Sequence, residues 1–134
     1  MTVEKSESAR IATEQDVVLV RQLVRARALE LGLGTVDQTK IVTAASEIAR
    51  NTLVYGKGGT ALVETVRHGL RAGLRLQFED QGPGIADITQ ALTDGFTTGK
   101  SLGMGLGGAK RLVNEFYIVS EPGRGTHVTL IRWK

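Results

Sequence analysis

Apolar residues recur with a helical period along the first third of the chain. Val17, Val20, Val24, Ala28 and Leu31 stand three or four apart, the spacing that lines one face of a helix. Thr13 precedes the run as an N-cap, Glu14 and Asp16 put negative charge in the first turn, and Gly32 stops it. A second helix is predicted over 36–54, with Ile41, Ala45, Ile48 and Thr52 along one face and capping-box spacing between Thr35 and Gln38. The period then shortens to two. Residues 60–67 read as a strand, and Leu74, Leu76 and Phe78 alternate with Arg75, Gln77 and Glu79 in another that has one buried face. Two more strands are predicted over 116–120 and 126–133, joined by the turn Glu121-Pro-Gly-Arg-Gly. Residues 9–12 form a short strand on this reading, and the polar residues 1–8 are expected to be disordered. A short helix over 87–94, loop through most of 95–108 and a helix over 107–114 complete the pattern. Early helices followed by mostly antiparallel strands with a helix between them predict an α+β, two-layer α/β sandwich.

With 134 residues, one compact core is expected, so 1–134 is read as a single domain. No apolar run is long enough to span a membrane, and the polar N-terminus lacks the apolar centre of a signal peptide; a cytoplasmic protein is expected. The absence of cysteine excludes thiol catalysis and thiolate metal sites, and two histidines make a histidine-based zinc site a poor reading. The net charge of +3 comes from Lys and Arg scattered among acids, with 4% aromatics. Nucleic-acid binding would call for clustered cations beside stacking platforms, so no nucleic-acid partner is expected. Glycine changes the picture more: ten of the 17 glycines fall between Gly82 and Gly125.

Four short segments could carry chemistry. In Glu47-Ile-Ala-Arg-Asn51, a carboxylate and an amide share one helix face a turn apart; the amide oxygen suits Mg²⁺ and the carboxylate suits a general base. Asp80-Gln-Gly-Pro-Gly84 ends an apolar strand with a carboxylate, and Gly82 and Gly84 let a flat ligand approach the backbone. That carboxylate accepts from the amino group of adenine and repels the carbonyl of guanine. Gly103, Gly105 and Gly107 form a GxGxG pattern before a helix, where freed backbone N–H groups hold phosphate. It is neither a dinucleotide fingerprint nor a Walker A loop, because the required strand and glycine spacing are missing. The fourth segment, Gly123-Arg-Gly-Thr126, opens the last strand. Each segment alone is compatible with a solvated helix, a turn or a loop.

In the order ExxxN, DxGxG, GxGxG, GxGT, they resemble the nucleotide-binding boxes of the GHKL superfamily of ATPases and kinases. That resemblance implies the Bergerat fold, with helices on one face of a mixed, mainly antiparallel sheet and ATP between the helical layer and a lid. Gyrase-type, Hsp90 and MutL proteins complete their sites with a second domain, and histidine kinases need a phospho-accepting helix in which neither His68 nor His127 lies. The small serine kinases of bacterial sigma-factor regulation remain. The segments at 33–51, 55–58, 79–88, 94–98 and 108–112 resemble the switch kinases of the stressosome, and the likeness runs from about residue 10 to the end.

The resemblance implies roles. Glu47 is the general base, Asn51 the Mg²⁺ ligand, and Asp80 the adenine contact, with Gly82 and Gly84 beside it and Thr126 supporting that region. Gly103, Gly105 and Gly107 are the phosphate lid; where some relatives have an arginine in the lid, Ser101 falls closer to that place, and Lys100, the nearest cation, is a candidate phosphate contact. Arg50 and Tyr55 are further candidates. ATP and Mg²⁺ are the implied cofactors, STAS-domain scaffold proteins the implied substrates, and a PP2C-type phosphatase the second partner. Two rival readings share the motifs: an anti-sigma factor kinase that binds a sigma factor directly, and a module that holds ATP without transferring phosphate. The intact Glu47 argues against the second.

Overall fold

The computed structural model describes residues 1–85, Leu92 and residues 102–134, with the backbone alone for 102–105. Within them the chain runs β1 (Thr2–Ile11), α1 (Glu14–Leu31), α2 (Thr35–Val54), β2 (Gly59–His68), β3 (Arg71–Asp80), α3 (Leu102–Arg111), β4 (Glu115–Glu121) and β5 (Gly125–Trp133). The strands form one sheet in the order β1-β2-β3-β5-β4. Each adjacent pair is antiparallel, so the sheet expected to be mixed is antiparallel throughout its described strands. The α+β class stands.

Strand alternation sorts the core. Val63, Leu74, Leu76, Phe78, Val128 and Leu130 meet Val20, Val24, Ile41 and Ile48 of the helices in one buried cluster. The opposite face carries the smaller cluster of Val66, Ile131 and Trp133, with Arg71 stacked over the Trp133 ring at 4.7 Å. It also carries Glu64, which accepts from Arg75 and Gln77. The two helices pack side by side over the sheet. The Thr13 side chain accepts from Asp16 N at 3.1 Å, Asp16 Oδ2 accepts in return from Thr13 N, and Gly32 closes α1 in the left-handed region (φ 89°).

Three expectations change. Residues 2–8 are not disordered: they belong to β1, which pairs with β2 from Thr2 opposite Arg67 to Ile11 opposite Gly59. This is an edge strand exposed at almost every position, so its backbone ladder, rather than an apolar face, holds it. The Thr35–Gln38 capping box is absent; Gly34 is the cap residue and Gln38 donates to the Leu33 carbonyl at 2.7 Å. The last helix begins at Leu102, before the predicted 107, so part of the expected glycine loop is helical. Burial of Leu106 and Ala109 in the main core outweighs the low helix propensity of glycine. The helix expected over 87–94 lies, Leu92 apart, outside the described residues. No helix among the described residues is long and apolar enough to cross a membrane.

Candidate functional site

Alternation along β3 puts Leu74, Leu76, Phe78 and finally Asp80 on the helix side of the sheet. Asp80 is a charged residue at 8% exposure. Desolvation pushes its carboxyl above the ordinary value, opposed in part by the backbone N–H groups of Gly82 and Thr126. The Gly82 contact is 2.9 Å to Oδ1. Close approach explains the local glycines. Gly125 has φ +83°, and a Cβ there would lie 2.1 Å from the Asp80 carbonyl oxygen. Gly84 has φ +76°, and its Cβ would lie 2.0 Å from the Glu121 carbonyl oxygen. Gly82 packs against Gly56, which in turn faces the Asp80 side chain.

Beside Asp80 lies a cavity of about 130 Å³. Its walls are Ile48, Asn51 and Tyr55 from the end of α2, Phe78 from β3, the 83–85 segment, Leu106 from α3, and Thr126 with Val128 from β5. Mostly apolar walls with a few polar groups are the usual build of a small-ligand site. The Asn51 carbonyl accepts from Tyr55 N at 2.9 Å and Gly56 N at 3.1 Å, which pins the end of α2. Among the described residues, the Asn51 side-chain Nδ2 is buried without a hydrogen-bond partner. A buried amide with an unmet group is costly unless a ligand completes it.

The structure brings Asp80, Gly84, Asn51 and Thr126 to one cavity. Glu47 is exposed on α2, one turn before Asn51 and outside the cavity lining. Gly103, Gly105 and Gly107 lie in α3, so from Leu102 onward they are helical backbone instead of the expected loop. Lys100 falls outside the described residues. Arg50 is paired with Glu14 at 3.7 Å, whereas Tyr55 does line the cavity. Among the described residues no three His, Cys, Asp or Glu side chains gather in a metal cage. An ion held mainly by ligand phosphates, as Mg²⁺ usually is, needs no such cage; the Asn51 side-chain oxygen is the atom that would ligate it, while the unmet Nδ2 is a hydrogen-bond donor and not a metal ligand.

Ser120 was not singled out from sequence. Its Oγ accepts from Ile85 N at 2.8 Å, donates to the Gly125 carbonyl at 3.0 Å, and lies 2.7 Å from Thr126 Oγ1. The available signal was hairpin register: counting back from the 121–125 turn places Ser120 opposite Thr126.

A model of the histidine kinase-, DNA gyrase B- and HSP90-like ATPases matches residues 36–134. The chain belongs to this ATPase family. Serine/threonine-protein kinase RsbT of Bacillus subtilis strain 168 is 50% identical to it over 124 residues, which cover 92% of this chain and 93% of that protein. Anti-sigma F factor of Halalkalibacterium halodurans is 31% identical over 124 residues, covering 89% and 85%. Within the family the chain is of the RsbT kind, a serine/threonine kinase that uses ATP. Two solved structures share the fold. The RsbU and RsbW domains of Rv1364c from Mycobacterium tuberculosis give a TM-score of 0.68 at 24% identity, covering 97% of this chain and 33% of that one. The SiaB–SiaC complex from Pseudomonas aeruginosa gives 0.57 at 11% identity, covering 98% and 91%.

Proposed function

We propose that this chain is a cytoplasmic kinase whose residues 1–134 act as one ATP-binding domain. It moves the γ-phosphoryl group of ATP to a serine or threonine of STAS-domain stressosome proteins. Once released from that scaffold, it activates a PP2C-type phosphatase. The observation that carries the reading is the pairing, in one cavity, of a buried carboxylate with an amide nitrogen that has no partner among the described residues, on a chain 50% identical to RsbT.

The roles follow from the chemistry of each group. Asp80, ionised, offers only acceptors and takes the amino group of adenine. Phe78, Ile48 and Leu106 keep water from the base. Asn51 is the residue that would hold Mg²⁺, which when bound neutralises phosphate charge during transfer. Glu47, exposed a turn away, is reachable by a protein substrate and accepts the proton of the attacking hydroxyl as its oxygen bonds to the γ-phosphorus and the bond from that phosphorus to the bridging oxygen breaks, releasing ADP. In this account the free first-turn N–H groups of α3, that of Gly103 among them, are donors to the phosphates, the Gly107 N–H being taken up within the helix, and Lys100 supplies charge.

Incubation with γ-labelled ATP and purified STAS-domain proteins tests the reading: label on a serine or threonine supports it, and unlabelled substrate with intact ATP contradicts it. The anti-sigma alternative predicts instead a stable complex with a sigma factor, which co-purification would reveal.

A further inference from the structure

Asp80, Thr126 and Ser120 form one row across three strands. Asp80 is opposite Thr126 in the β3–β5 pairing, and Thr126 is opposite Ser120 in the β4–β5 pairing. Directly opposed residues point to the same face, and Asp80 and Thr126 both line the cavity. A proton count assigns the hydroxyls. Ser120 has one hydroxyl hydrogen, and it goes to the Gly125 carbonyl at 3.0 Å. One lone pair of its oxygen is taken by Ile85 N–H at 2.8 Å. The 2.7 Å contact with Thr126 Oγ1 must then be donated by Thr126, since a hydroxyl has one donor and two acceptor sites. With its proton committed to Ser120, Thr126 has only acceptor capacity left for the cavity.

We infer that Ser120 is a positioning residue for base selection: by holding the Thr126 proton it turns the cavity's polar wall, Asp80 with Thr126, into acceptors only. This deepens the ATP-site reading and rests on it. An amino group at the base's six position brings two donors to that wall. A carbonyl at the same place, as in inosine triphosphate, meets lone pairs alone. The buried groups are then left unpaired, which penalises the wrong ligand more than a poor apolar fit does. Ser120 also joins the 83–85 segment to the β4–β5 turn, so a purely bracing role is the competing account. The two differ in what happens to discrimination.

The test is binding of ATP and of inosine triphosphate, by calorimetry, to wild type, Ser120→Ala and Ser120→Thr. Ser120→Ala frees the Thr126 proton to turn toward a carbonyl. The preference for ATP over inosine triphosphate should fall about five- to tenfold, the weight of one hydrogen bond, chiefly through tighter binding of the inosine nucleotide. Ser120→Thr keeps the hydroxyl and should restore the wild-type ratio. Equal weakening of both nucleotides, with the ratio unchanged, would make Ser120 a brace and overturn the inference. If Ser120→Ala does not fold, Ser120→Cys, with its weak sulfur acceptor, is read for the same ratio and the same two outcomes. A wild type that binds neither nucleotide overturns the ATP-site reading itself and the inference with it, a result plainly separate from an unchanged ratio.

Discussion

The two ends of the cavity are built differently. At the Asp80 end, strands supply the walls. Gly82, Gly84 and Gly125 press backbone against backbone around the carboxylate, and Ser120 joins three segments through a single hydroxyl. At the α2–α3 end, the described chemistry is an unpartnered Asn51 amide, an exposed Glu47 and a helix with glycine at 103, 105, 107 and 108. One end is assembled before any ligand arrives. The other leaves groups unsatisfied, and glycine lowers helix stability by about 1 kcal/mol per residue relative to alanine. Recognition of the base belongs to the sheet in this account, and phosphate chemistry belongs to the helices.

Substitutions at the two ends should therefore fail in different ways. The largest effect on nucleotide binding is expected from Asp80→Asn. Its amide can flip to donate, so the preference for ATP over GTP should fall about a hundredfold or more, measured by calorimetry of both nucleotides. Stability should move the other way. Burial raises the Asp80 carboxyl's pKa above 3.8, so its ionised form opposes folding above that raised value. The opposition disappears as pH falls through it and the group takes up its proton. Asp80→Asn should thus melt higher than wild type at pH 7, with the gap closing in acid. A lower melting temperature for the variant at neutral pH would refute this.

Gly125→Ala is next. Its Cβ would collide with the Asp80 carbonyl oxygen, and the strained backbone should cost about 1–3 kcal/mol in denaturant unfolding, with a parallel loss of ATP affinity. Asn51→Ala should weaken MgATP binding about tenfold, the weight of one strong polar contact, and leave metal-free ATP within about twofold; equal losses would remove the metal role. The smallest effect is at Gly108, where an added Cβ meets open space. Gly108→Ala should stabilise the fold by about 1 kcal/mol, in contrast to Gly125→Ala at the other end.

The same division explains what could be read from the sequence. Asp80 was legible because it closes an alternating strand and is followed at once by glycines, and the α1 caps were legible because Thr13 and Gly32 act locally. Residues 2–8 of β1 were not, although 9–12 were read as strand, since an edge strand exposed on both faces carries no alternation to detect. The start of α3 was misjudged because its glycines argue for loop, while burial of Leu106 and Ala109 is a tertiary effect that propensity does not contain. Ser120 was hidden for a similar reason: hairpin register places it opposite Thr126, but its bond to Ile85, 35 positions away, is a tertiary contact that register does not contain. Glu47 and Asn51 were read from helical spacing, and the cavity adds only that Asn51 is unmet and Glu47 lies outside the wall.

The division of labour is tested most directly by Glu47→Gln, measured for both ATP affinity and transfer of labelled phosphate to a STAS-domain serine. The variant keeps the shape and removes the basic oxygen. The account predicts ATP binding within about twofold of wild type, with transfer slowed by about 10²–10⁴-fold, the usual contribution of a general base. Transfer at the wild-type rate, or loss of ATP binding together with transfer, would contradict it.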